Sequence, residues 1–259
     1  VITGLEIVLI GFVAVLAGLV NALAGGGTLI MFPALIAIGI PPLAANVTHT
    51  VALTPGYLGG ALGQRGDLRG QGRRLWIFIP VGALGGLTGG FILLWIGAGV
   101  FHILVPFLIL FAAGLLAVQD RVRRWIAARA ERAGTASGEG TEVIIPVGLA
   151  SVYGGFFGAG VSVIVLAVLA LVIDDTITRL NALKQAISLG ISVAAAVFFL
   201  LSGIVVWSLV PVMAAGAVAG GVLGGRLASS INPVTLKWTV VGAGLIIGMY
   251  FFLQLFIPL

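Results

Sequence analysis

Charged residues interrupt this sequence in a few short clusters, and the gaps between the clusters are long. Residues 7–64, 75–119, 143–173, 185–225 and 238–259 hold no Asp, Glu, Lys or Arg. A helix rises about 1.5 Å per residue and needs about 20 apolar residues to cross a hydrocarbon core of about 30 Å. Gaps of this length read as membrane segments. Of the 259 residues, 60% are apolar and 8% charged, whereas a soluble domain carries roughly 25% charged residues. A soluble enzyme, a disordered chain and a nucleic-acid binder are thereby excluded, and an all-α polytopic membrane protein is expected. With no cysteine in the chain, a disulfide framework, an iron–sulfur cluster and a thiolate zinc site are excluded too. His49 and His102 are too few for a His-rich metal centre, so neither metal nor cofactor is expected.

Within these gaps, the 75–119 run holds two helices with a break at Gly97-Ala98-Gly99. Two polar loops are expected, Arg65–Arg74 and Asp120–Glu142, the second with five arginines and a Gly/Ser-rich tail. The 143–173 run is interrupted at Gly158-Ala159-Gly160. Each of its arms would span roughly 20 Å, too short to cross, so a re-entrant hairpin is expected. Gly25-Gly26-Gly27 interrupts an earlier apolar stretch, and the arm after it is also too short. Irregular backbone at membrane depth is tolerated only where protein buries it or it lines a cavity.

The halves repeat. Gly25-Gly26-Gly27 aligns with Gly158-Ala159-Gly160, which puts Thr48 over Asn181 and Val51 over Lys184. With a two-residue slip, Trp76-x3-Pro80-Val81-x3-Gly85-x3-Gly89-Gly90 matches Trp207-x3-Pro211-Val212-x3-Gly216-x3-Gly220-Gly221. The expected units are residues 4–119, a cytoplasmic linker at 120–142, and residues 143–259, each repeat being a Gly-rich hairpin plus three spanning helices. If 143–173 is a hairpin, the Lys and Arg residues all fall on or near one side, as the positive-inside rule requires. Three crossings per unit then invert the second copy. Inverted repeats with Gly-interrupted segments at matching positions mark secondary transporters, with the site at the repeat interface.

Candidate site residues follow from this arrangement. Gly25, Gly26 and Gly27 precede an arm starting near Thr28, and Gly158 and Gly160 precede one near Ser162. A half-helix N-terminus offers unpaired N–H donors and about half a positive charge, which suits an anion. The competing reading is close helix packing through small residues. Asn46, Thr48, His49 and Thr50 follow the first hairpin, and Asn181, Lys184, Gln185 and Ser188 follow the second. Asn181, Lys184 and Ser188 share one helical face. Polar groups inside a membrane are costly and turn toward the bundle interior, although Lys184 is also placed to snorkel. The charge-free spans offer amides, hydroxyls and N–H dipoles but no carboxylate, which favours an anion over a cation. His49 could titrate or could be a neutral hydrogen-bonded histidine.

The segment Gly18-x-x-Asn21-Ala22-x-Ala24-Gly25-Gly26-Gly27-x5-Pro33-Ala34-x4-Gly39-Ile40-Pro41-x-x-Ala44, followed by Asn46-x-Thr48, resembles the sulfite exporter TauE/SafE family. Its second-half counterpart is Gly154-Gly155-Phe156-Phe157-Gly158-x-Gly160 with Thr178-x-x-Asn181-Ala182-x-Lys184. The resemblance covers essentially the whole chain. It implies a multi-pass transporter of the bacterial inner membrane that moves sulfite, thiosulfate, sulfoacetate or a related organosulfonate. It adds Asn21 to the candidate residues, and it implies the substrate and the lipid bilayer as partners, with no nucleic acid. The same sequence is compatible with a passive anion channel. An intramembrane serine protease would need a Ser nucleophile reachable by a His base; there is no G-x-S-G, and neither His has an evident Ser partner.

Overall fold

The computed structural model describes residues 3–23, 26–132, 143–227 and 233–256, and among these all regular structure is helical. In chain order the helices are α1 (Gly4–Leu23), α2 (Thr28–Ala37), α3 (Pro42–Gly63), α4 (Gly72–Arg132), α5 (Ile144–Phe156), α6 (Val161–Val172), α7 (Ile177–Leu200), α8 (Val210–Leu227) and α9 (Pro233–Gln254). By length and apolarity α1, α4, α7 and α9 can each cross a bilayer, and the chain is a multi-pass membrane protein. α3 is 22 residues long, enough for about 33 Å, but it is the polar one. It can be polar because it packs against α2, α4, α7 and α8, which turn Asn46, Thr48 and His49 into the protein interior.

The break expected at Gly97 is present: Gly97 has φ 73° and ψ 176° inside α4, a backbone conformation that a Cβ would forbid. It divides α4 into two arms. The second arm corrects one expectation. Asp120–Arg132 continues the helix rather than forming a loop, because Arg and Ala favour helix and Val122 and Ile126, one turn apart, pack into the core around α5 and α6. The first polar loop is also shorter than expected, since α4 already begins at Gly72.

The two hairpins differ in build. α5 and α6 have 13 and 12 residues, about 20 Å and 18 Å, so neither crosses alone. α2 has 10 residues, but α1 has 20, about 30 Å. α1 is also set up to start early. Thr3 and Glu6 form a capping box, with the Thr3 N–H donating to Glu6 Oε2 at 2.7 Å and the Glu6 N–H to Thr3 Oγ1 at 3.3 Å.

The glycines of the repeated Trp-Pro-Gly string go to helix packing. α1 packs chiefly on α8, and α5 on α4. A Cβ on Gly220 would meet the Val15 carbonyl, and one on Gly89 the Val152 carbonyl. Each half thus lays its string of small residues on the hairpin arm of the other half, as lipid-embedded helices do when they approach closely. The outward faces carry large apolar side chains, including Leu5, Phe12, Phe91 and Phe107. Trp76 and Trp207, at matching repeat positions, are both exposed, as interfacial anchors are.

Several of the described charges pair across the helices. Arg74 Nη1 lies 2.5 Å from Asp175 Oδ2, and Arg179 Nε 2.9 Å from Asp175 Oδ1. Arg179 Nη1 also donates to the Arg69 carbonyl at 3.0 Å, and Lys237 pairs with Asp120. Beside the second glycine tip, rings meet edge to face: Phe32 with Phe157 at 5.2 Å and Phe101 with Phe156 at 5.9 Å between centroids.

Candidate substrate site

Two interior spaces hold most of the polar side chains. The larger is a chamber of about 120 Å³. α1 supplies Asn21, α3 supplies Tyr57, the turn after α3 supplies Gln64, and α4 supplies Gln119, Val122 and Arg123. α6 contributes Ser162, Val163 and Leu166, and α7 contributes Asn181, Lys184 and Gln185. Two of these twelve are cationic and none is a carboxylate. Lys184 is 7% exposed, so it does not snorkel. Its Nζ donates to Asn181 Oδ1 at 2.8 Å, and Asn181 Nδ2 donates to Gln64 Oε1 at 2.9 Å. An ammonium has three N–H donors, and this relay uses one while orienting the amides of Asn181 and Gln64.

The smaller space lies where the hairpins meet, between Thr28 at the start of α2 and Val161 at the start of α6, with His49, Thr50, Gly158 and Ser188 around it. Its volume is about 20 Å³, room for about one water molecule. His49 Nε2 is 3.1 Å from Thr28 Oγ1. His49 Nδ1 and Ser188 Oγ are buried without a hydrogen-bond partner. Buried polar atoms are normally paired, so two orphans facing one cavity mark a place where a ligand or water would be stabilised. Tyr57 borders this cavity, the chamber, and a groove of about 400 Å³ between α1, α3 and α8.

The sequence-derived residues divide accordingly. Asn21, Ser162, Asn181, Lys184 and Gln185 meet at the chamber, and Thr28, His49, Thr50, Gly158 and Ser188 at the tip cavity. Asn46 and Thr48 border neither and are fully buried. Asn46 Nδ2 donates to the Phe156 carbonyl at 2.9 Å, and Thr48 Oγ1 accepts from the Val206 N–H at 2.9 Å; they tie α3 to the end of α5 and to the turn before α8. Gly26 and Gly27 are packing positions. A Cβ on Gly26 would meet Leu116 and Val240, and one on Gly27 the Ala17 carbonyl and Asn21. The first turn of α2 is internally bonded, with Leu29 N–H to the Gly26 carbonyl and Met31 N–H to that of Gly27. Gly160 caps α6 with φ 77° and sits beside Leu115. Gly25 lies outside the described residues. Tyr57, Gln64, Gln119 and Arg123 were missed. Gln119 and Arg123 are one helical turn apart at the edge of a charge-free run, a signal that positive-inside anchoring explained too easily.

A bundle of membrane-crossing helices, with a buried, cation-lined polar chamber among short interrupted helices, has the build of a membrane transporter. The chain belongs to the Sulfite exporter TauE/SafE family, whose model matches residues 10–251. It is similar to a "Probable membrane transporter protein" of Haemophilus influenzae, 28% identical over 239 residues covering 90% of this chain and 88% of that one. It is also similar to the "Probable membrane transporter protein YfcA" of Escherichia coli K12, 24% identical with 89% and 83% covered. No solved structure matches the chain.

Proposed function

We propose that the protein is a secondary carrier for a small sulfur-containing anion, such as sulfite, thiosulfate, sulfoacetate or another organosulfonate, and that it works by alternating access between two inverted repeats. The observation that carries this reading is the chamber: Lys184 and Arg123 with amides and hydroxyls, and no carboxylate among its lining residues. Cation carriers commonly place acidic groups in their pathway; this lining has the opposite sign.

The packing supports the repeat. The small-residue strings of the two halves lie on each other's hairpin arms, and the charged ends collect on one side. That side is cytoplasmic by the positive-inside rule. An anion reaches the chamber from there. It meets Lys184 and then the tip cavity, where the buried His49 Nδ1 and Ser188 Oγ have no hydrogen-bond partner. The tip cavity must widen before an anion passes, because it now has room for about one water. The Phe32–Phe157 and Phe101–Phe156 contacts close the far side. Widening the tips and parting these rings are the two movements that alternating access requires.

The test is flux into proteoliposomes. Saturable uptake of labelled thiosulfate or sulfite, accelerated by unlabelled anion on the opposite face, is the expected result. Fast, unsaturating conductance without counter-transport would make the protein a channel instead.

A further inference from the structure

The geometry points to a pair of gates at opposite ends of α3 and α7, built from matching positions of the two repeats: Asn181 with Gln64 on the inner side, and Thr48 with Val206 on the outer. This assignment rests on the carrier reading above and names the contacts that its cycle must break in turn. α3 and α7 run antiparallel, since Thr48, Thr54 and Gln64 reach Val206, Ser192 and Asn181 in that order. At about 1.5 Å per residue the two end contacts lie about 24 Å apart along α3. Arg69, Arg74 and Arg179 gather beside the Gln64 contact, which makes that end cytoplasmic.

The two contacts are alike in plan. Thr48 and Asn181 are superposed by the ungapped repeat alignment. Each bonds the segment that leaves the other helix: Gln64 just after α3, Val206 between α7 and α8. The match extends to Asn46 and Arg179, two residues earlier in each helix. Asn46 Nδ2 donates to the Phe156 carbonyl at 2.9 Å and Arg179 Nη1 to the Arg69 carbonyl at 3.0 Å. Between the ends, Thr54 Oγ1 donates to the carbonyl of Ser192, which borders the tip cavity with Ser188. A helix pair held in its middle can part at one end while the other stays closed. The chemistry of the two ends is unequal. The inner contact joins two side-chain amides in a polar chamber, whereas the outer one joins the fully buried Thr48 hydroxyl to a backbone N–H. Lys184 donates to the same Asn181 amide, so a ligand that draws the ammonium toward itself loosens the inner contact directly.

The chain has no cysteine, so Ser188→Cys places a single thiol in the tip cavity, between the gates. The full-length protein in right-side-out and inside-out membrane vesicles is treated with a charged, membrane-impermeant methanethiosulfonate. Gln64→Leu should speed labelling from the cytoplasmic face by about 5-fold, the population shift of one net hydrogen bond, and leave the outer face unchanged. Arg179→Gln should add to it on the same face. Thr48→Val, which keeps the side chain's shape and loses the hydroxyl, should speed labelling from the outer face alone, and Thr48→Ser should label like the parent. A second measurement covers a Thr48→Val variant that does not fold. In the chain with Ser188 intact, Thr48→Cys with Val206→Cys, or Gln64→Cys with Asn181→Cys, is bridged by a bifunctional methanethiosulfonate; either bridge should stop flux, and a reductant should restore it. Labelling that rises on both faces alike, on the wrong face or not at all, or flux that continues through a bridged gate, would overturn the assignment while saturable flux leaves the carrier reading standing. A parent protein without counter-transport overturns the carrier reading first, and the gates with it.

Discussion

The two Gly-rich tips occupy equivalent places in the repeat and do different jobs. At the first, Gly27 has φ −57°, open to any residue, and its glycine is required because Ala17 and Asn21 leave no room for a Cβ. At the second, Gly158 and Gly160 have φ 79° and 77°, where any L side chain is strained, and Gly158 borders the tip cavity. One tip uses glycine for closeness and the other for backbone conformation. The polar faces that follow are unequal as well: the first ties helices together through Asn46 and Thr48, and the second lines the chamber through Asn181 and Lys184. Matching positions of the two sequence halves thus carry different side chains, and the buried cation Lys184 stands only in the second.

The largest effect should come from what the halves share. Gly220→Val and Gly89→Val each place a side chain on a facing carbonyl, of Val15 and of Val152, and each should cost about 3 kcal/mol or more. Thermal unfolding in detergent reads this, and tolerance at one site with collapse at the other would break the symmetry. Next is Lys184→Gln, which removes the buried cation and should cut anion affinity about 30-fold. Val51→Lys at the equivalent position of the first repeat should not restore it, and a restored affinity would mean that the halves are interchangeable.

The tips are then told apart by asparagine, which tolerates the left-handed conformation. Gly158→Ala should cost about 1–2 kcal/mol and Gly158→Asn less, whereas Gly27→Asn should be at least as harmful as Gly27→Ala. The same ranking at both positions would erase the distinction. Ser188→Ala should leave stability within about 0.5 kcal/mol, since the hydroxyl has no partner to lose, yet slow transport. Unchanged flux would remove the tip cavity from the pathway.

The smallest effect lies at the charged end. Burial pushes the Asp175 carboxyl up, but Arg74, the Thr176 N–H and Arg179 outweigh it and hold it below the usual aspartate range. A lowered folded pKa contributes stability above the unfolded value of about 3.9, and that stability is lost as pH falls through the folded one. Asp175→Asn should therefore flatten the acid limb of the stability curve slightly.

Much of this frame was legible because lipid is a demanding solvent. Charge gaps located the spans, and Gly97 is where the 75–119 run breaks. The helical face of Asn181, Lys184 and Ser188 does turn inward. Asp120–Arg132 was misread because arginine density signals topology and helix propensity at once, and only Ile126, buried in the second core, and Val122, packed against it, decide between them. The chamber was half legible, since Arg123 comes from a segment that polarity alone assigns to a loop and Gln64 from the last position of a charge-free run. The purpose of each glycine was not legible: closeness and a left-handed turn leave the same letter in the sequence.

The unbroken run of α4 beyond Gly97 has a mechanical consequence. Ile109 and Leu116 anchor it in one core, and Ile126 anchors it in the other. A single rod gripped by both bodies acts as a torsion bar, so neither half can tilt without loading the other. The compliance is concentrated at Gly97, where a side chain would meet open space. In the proposed alternating-access cycle, stiffening that one joint, rather than altering any ligand contact, would slow turnover without changing what is carried.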